Sequence, residues 1–178
     1  DMAQTQPDSF EIREKMKTFV FRLQDEICEA VEQVESETFI EDEWERDGGG
    51  GGVSRVIQDG DVLHKAGVNV SVVSGELSEE AAREMGGGTH IDDLSFWAAG
   101  LSLVFHPVNP MAPTVHANYR YFERGDGNID GGWWFGGGSD LTPAYLFEED
   151  ARHFHSTLKS TCDEHDPEYY PEFKEWCD

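Results

Sequence analysis

The chain has 178 residues, a size that suits one domain around one core. Thirteen Lys and Arg against 37 Asp and Glu give a formal net charge of −24, which repels polyanions and excludes nucleic acid as a natural partner. Aromatic residues at 12% supply enough large side chains for a packed core, and no apolar run reaches the roughly 18 to 20 residues of a transmembrane helix.

Residues 1–8 are expected to form a flexible N-terminus and 9–178 a single domain, with neither the basic nor the apolar region of a secretory signal at the start. Met16, Phe19, Val20, Leu23, Ile27, Val31 and Val34 recur at the spacing of one helix face, and Asp8 with Glu11 offers a capping box. This predicts a helix over 9–35. An acidic stretch at 37–47 leads into Gly48, Gly49, Gly50, Gly51 and Gly52, which read as a flexible surface loop. Without a following Lys and Ser/Thr they do not form a nucleotide-phosphate loop.

Strands are predicted over 53–58 and 67–74, the second because Val68, Val70 and Val72 alternate with Asn69 and Ser71, with a turn at Asp59-Gly60 between them. A short helix over 78–85 and a glycine loop at 86–88 follow. Residues 96–106 place Leu101, Leu103 and Phe105 opposite Ser102, Val104 and His106. The next strand places Val115, Ala117, Tyr119 and Tyr121 opposite His116, Asn118, Arg120 and Phe122. In 133–143, three aromatic residues precede Gly136, Gly137 and Gly138, and the reading is an apolar wall followed by a turn that delivers Asp140 ahead of a helix. That helix begins near Phe147, with Glu148, Glu149 and Asp150 at its positive end and His155 on its inward stripe; a last helix covers 169–178. The order of elements gives an α+β fold with a largely antiparallel sheet flanked by helices. Cys28, Cys162 and Cys177 form no disulfide framework and are read as small buried hydrophobes in a reducing compartment.

His116, Asn118 and Arg120 at alternate positions share one strand face, joining a group that titrates near neutrality, an amide and a permanent cation. Such a set suits an anionic organic ligand, and an ordinary solvated strand face has the same composition. Ser102 and His106 share a face of the preceding strand. His153 and His155 stand about 200° apart around a helix and cannot share a metal. Asp140 beside the aromatic residues could accept a proton or hold the N–H groups of a heteroaromatic ring; capping a turn is the alternative.

The runs GGGGGVSRVIQDG (48–60), HKAGVNVSVV (64–73), HPVNP (106–110), PTVHANYRYFE (113–123), WWFGGGSDLTPAYLFEEDARHFH (133–155) and YPEFKEWCD (170–178) closely resemble oxygen-dependent coproporphyrinogen III oxidases. The likeness covers most of the chain from residue 19 onward, in long motifs of rare composition and in the family's order. It implies a flat antiparallel sheet flanked by helices, a homodimer, and no obligatory organic cofactor. The implied reaction is oxidative decarboxylation of two propionates of coproporphyrinogen III to vinyl groups, giving protoporphyrinogen IX for heme and chlorophyll biosynthesis. O2 is the co-substrate, and carbon dioxide and hydrogen peroxide are released.

Carried onto this sequence, the resemblance implies that Ser102, Asn118, Tyr119 and Arg120 contact substrate. It makes His116 a proton donor and pairs Asp140 with pyrrole N–H groups. In bacterial members it further implies a divalent metal on His106, His116 and His155. The family continues past the WCD run into a Gly/Arg substrate-binding segment and much of its dimer interface. Arg120, Arg55 and Lys65 are therefore the expected local cations here, and a sheet stopping at this point would expose an edge and apolar surface. His64 in place of the family's usual Glu and an insertion at 86–89 are smaller departures. The alternative function is a catalytically silent structural subunit of a larger, photosynthetic complex covering the open face. YRYFE and DLTPAYLFEED are closest to plant and algal members, which suggests the plastid stroma, with the cytoplasm as the other location.

Overall fold

The N-terminal apolar stripe forms α1 (Ser9–Glu32), which buries Met16, Val20 and Cys28. The structure, a computed structural model, describes residues 9–85, 93–125 and 132–178. The expected loose N-terminus with Asp8 and the glycine loop at 86–88 lie outside the described residues. Six strands follow: β1 (Ile40–Glu45), β2 (Gly50–Gln58), β3 (Leu63–Glu76), β4 (Ser95–Pro107), β5 (Thr114–Arg124) and β6 (Trp133–Thr142). They pair in sequence order as one wholly antiparallel sheet, with α2 (Glu79–Glu84) between β3 and β4. Ser78 caps α2 by accepting from the Ala81 N–H at 3.2 Å.

The core lies between α1 and one face of β3, β4 and β5. Val68, Val70, Ala99, Leu101, Leu103, Ala117 and Tyr121 alternate toward the helix and are buried there. Two buried polar groups tie α1 to the sheet. Gln24 donates from Nε2 to the carbonyls of Val53 (3.0 Å) and Val68 (2.8 Å). Glu123 accepts from Arg13 Nε (3.1 Å) and from the Tyr121 hydroxyl (2.9 Å); burial first, and then this bond, raise the Tyr121 pKa.

Three predicted segments come out differently. Residues 40–45 form β1, which the acidic run concealed. It is one of the two outer strands of the described sheet, where Glu41, Asp42, Glu43 and Glu45 keep their charges hydrated. The five glycines are not a flexible loop. Gly49 and Gly50 take φ of 111° and 84° in a tight turn closed by Arg46 N–H to Gly50 O at 2.9 Å, and Gly52 lies within β2. A side chain at Gly52 would overlap the Val70 carbonyl and the Trp44 indole, so close approach explains that glycine. Residues 133–142 form β6 straight through Gly136 and Gly138, so Asp140 is a strand residue and caps no helix. The aromatic wall is divided by the pleat: Trp133 and Phe135 pack around Tyr121 on the α1 face, while Trp134 stacks on Phe122 on the other.

The predicted helix over 9–35 ends at Glu32 because Glu35 is recruited elsewhere. Its carboxylate accepts four backbone N–H groups, from Ser36 (2.7 Å), Asp61 (2.9 Å), Val62 (3.1 Å) and Leu63 (2.7 Å), and so fastens the end of α1 to the β2–β3 turn. Burial opposes ionisation, but these donors outweigh it and hold the Glu35 pKa down to about 2.

The chain divides into two compact units, Asp1–Thr142 and Pro143–Asp178. The second comprises α3 (Glu148–Asp163) and α4 (Tyr169–Cys177), joined by a contact of 3.1 Å between His155 Nδ1 and the Tyr170 hydroxyl. His155 is exposed rather than inward; the stripe beside it is carried by Ala151, Phe154 and Leu158. The cysteines are free, and Cys28 alone is fully buried, whereas Cys177 is exposed. No described helix is long and apolar enough to cross a membrane.

The Glu35 cap carries a pH signature. Its folded pKa lies below the ordinary 4.5, so its contribution is fully present above that value and is lost as pH falls toward 2. Glu35→Ala should cost about 1 to 3 kcal/mol at pH 7 by stranding its donors. Urea unfolding from pH 7 to pH 2 should show a flatter acid limb for the variant, whereas parallel curves would contradict this role.

Candidate active site

With the α1-facing residues of β3, β4 and β5 fixed by burial, their alternate neighbours must point to the opposite, distal face of the sheet. The strand register then decides which of them meet. His116 on β5 stands directly opposite Asp140 on β6, with His116 Nδ1 2.9 Å from Asp140 Oδ2. The Asp140 carboxylate accepts a hydrogen bond from Nδ1–H, which selects the tautomer and leaves Nε2 facing a ligand. Both side chains are about half exposed, at 43% and 57%, so the pair is reachable.

One step along the strands, Ser102 on β4 faces Asn118 on β5, and Asn118 in turn faces Gly138, above which there is open space. One step further, Arg120 faces Gly100, and a methyl group there would stand 2.8 Å from Arg120 Cγ. The missing side chain at Gly100 therefore lets the Arg120 stem lie across β4. Beyond Arg120 the face turns aromatic: Phe96, Phe122 and Trp134 stack in series across β4, β5 and β6, with centroid separations of 5.9 and 5.3 Å. Among the described residues, the side chains of Ser102, Asn118 and Arg120 make no hydrogen bond or ion pair. They present unspent donors, and in Arg120 a full positive charge, beside an acid–base pair and an aromatic bank.

Within the sheet unit the sequence-predicted set is thus brought together except at Tyr119 and Arg55. Tyr119 lies on the α1 side of the pleat, with its hydroxyl 3.1 Å from Ser139 Oγ, and is separated by the sheet from Ser102, Asn118 and Arg120. Arg55 also faces α1, where Asp25 and Glu41 each hold it at 2.7 Å; it is no free cation for a ligand. His155 belongs to the helical unit. His106 does lie on the distal face, exposed and in register with Lys65, two residues along from the partner of His116. Among the described residues, no three His, Cys, Asp or Glu side chains gather as a metal site.

Sequence reasoning passed over Asn69 and Ser54, which extend the Ser102–Asn118 row onto β3 and β2. The alternation of Asn69 with Val68 and Val70 had placed it on a polar face. The missing information was the register that aligns that face with the neighbouring strands.

A family model described as coproporphyrinogen III oxidase matches residues 15–178. The chain is 52% identical to the oxygen-dependent coproporphyrinogen-III oxidase of Drosophila melanogaster over 177 residues, 96% of this chain and 45% of that protein. It is 52% identical to the chloroplastic coproporphyrinogen-III oxidase 1 of Arabidopsis thaliana (96% and 46%) and 53% identical to the mitochondrial oxygen-dependent enzyme of Homo sapiens (94% and 38%). The chain therefore spans under half the length of these curated relatives. With a match over nearly all its residues and about half of them identical, the chain belongs to the coproporphyrinogen III oxidase family.

Proposed function

We propose that this chain carries the acid–base part of an oxygen-dependent coproporphyrinogen III oxidase site, laid out on the distal face of its sheet. The observation that carries the reading is the 2.9 Å pair of His116 and Asp140 beside the unpaired Arg120. A reduced tetrapyrrole bears pyrrole N–H donors and propionate carboxylates, and this face offers a partner for each. Asp140 accepts from pyrrole N–H, Arg120 and Asn118 hold a propionate, and the Phe96–Phe122–Trp134 bank lies against the macrocycle.

For each propionate, the bond to the carboxylate carbon breaks as carbon dioxide leaves, its electrons become the second bond of the vinyl group, and the methylene attached to the pyrrole gives up a hydrogen with its electron pair. O2 accepts that pair and, with one further proton, becomes hydrogen peroxide. The chain's part is to move protons. Asp140 takes up the pyrrole N–H proton and returns it once the vinyl group has formed, and His116, hydrogen-bonded to it, donates the proton that the reduced oxygen requires. Because the carboxylate and the imidazole share one hydrogen bond, the base and the acid of this scheme work as one unit.

The retained His116–Asp140 pair favours this reading over that of a silent structural subunit. A plastid setting accompanies it, supported by the YRYFE and DLTPAYLFEED stretches and by chloroplastic relatives; other relatives are named as mitochondrial.

Incubation with coproporphyrinogen III in air, followed by chromatography of the porphyrins, should show protoporphyrin formation. His116→Ala and Asp140→Asn should each lower kcat by about 10² to 10⁴, the usual range for a positioned acid or base. Unchanged turnover in either variant would remove that residue from the scheme. Arg120→Ala should instead act mainly on KM, raising it about tenfold or more through loss of a charge-assisted bond. An effect confined to kcat would place Arg120 at the reacting atoms.

A further inference from the structure

Four short polar residues, Ser54, Asn69, Ser102 and Asn118, stand directly opposite one another across β2, β3, β4 and β5. At about 4.8 Å per strand the row is about 14 Å long, and the His116–Asp140 row runs beside it, one step along the strands. Asn69 is the only amide in the β2–β3 half of this row. It is half-buried, and its side chain makes no hydrogen bond among the described residues. Its Nδ2 lies 3.6 Å from the point where Gly67 would carry a side chain, so the amide leans over a bare patch of β3 toward the row of His116.

A purely structural Asn in a strand would be expected to bond its neighbours or the backbone. This one is held at partial burial with its donors unspent, two strands away from Asn118. We propose that Asn69 is a substrate-positioning residue, its amide donating to a carboxylate of the tetrapyrrole on the side remote from the propionate held at Arg120. The inference rests on the functional reading above and adds to it a second carboxylate contact, on β3. A substrate with carboxylates around its rim needs such distant contacts, because one cation at one end would leave the ring free to rotate about it.

The test is fluorescence titration of the purified protein with coproporphyrin III, the stable oxidised form of the macrocycle, alongside Tm measurements. Asn69→Ala should raise Kd about tenfold, and Asn69→Asp should raise it further by placing a negative charge against the carboxylate, with Tm little changed in both. Lys15→Gln, altered on the exposed side of α1, should leave Kd unchanged. If the wild type binds and Asn69→Ala binds equally well, or Asn69→Asp binds as tightly as the wild type, the assignment of Asn69 is overturned while the wider reading stands. An equal weakening by both Asn69 variants, matched by an equal fall in Tm, would make its role structural and overturn the proposal too. If the folded wild type does not bind coproporphyrin at all, the functional reading itself fails.

Discussion

The placement of every candidate group depends on the burial of one sheet face beneath α1. Val68, Val70, Leu101 and Tyr121 are each almost fully removed from water there, and together they fix which face of their strands is inward. Side chains alternate along a strand, so a slip by one residue would carry the polar set inward and the apolar set out. At roughly 1.5 to 3 kcal/mol for each large apolar side chain, that inversion lies far outside what a domain tolerates. Gln24 and Glu123 add direction to this non-directional force: Gln24 of α1 binds the Val53 and Val68 carbonyls, and Glu123 of β5 binds Arg13 of α1.

The two faces consequently hold different kinds of polar group. On the α1 side, the charged groups are paired, Arg55 with Asp25 and Glu41 and Glu123 with Arg13 and Tyr121, and Tyr119 meets Ser139; among the polar atoms buried there, Gln24 Oε1 has no partner. On the distal side, Ser102, Asn118, Arg120 and Asn69 have no such partners among the described residues, and the one strong contact is between the two groups suited to proton transfer. Paired groups stabilise the fold and unpaired ones are available to a ligand. This asymmetry, on a chain of net charge −24, puts an uncompensated Arg where an anionic substrate would need it.

Much of this was legible in the sequence. The three-and-four spacing from Met16 to Val31 gave α1, and the alternation around Leu101 and Ala117 gave β4 and β5 with their polar faces. What composition hid were segments whose local preferences are overridden by their neighbours. The acidic run of β1 is stable as an outer strand because its charges stay in water, and at Gly51, Gly52, Gly136 and Gly137 adjacent backbone or an indole ring approaches too closely for a side chain, whereas Gly138 faces open space. His116 and Asp140 were singled out separately, from strand alternation and from an unusual aromatic–glycine segment. Their meeting at 2.9 Å follows from the β5–β6 register, a non-local property that spacing within one strand does not reveal. The same limit explains Tyr119, which shares a motif with Asn118 and Arg120 in sequence and is parted from them by the pleat.

The central claim is that His116 and Asp140 act as one proton-handling unit. A double-mutant cycle on kcat/KM for coproporphyrinogen III tests it most directly, comparing His116→Ala, Asp140→Ala and the two combined. A coupled pair predicts that the combined variant is scarcely slower than the slower single variant. Losses that multiply would show two groups working independently and would contradict the account.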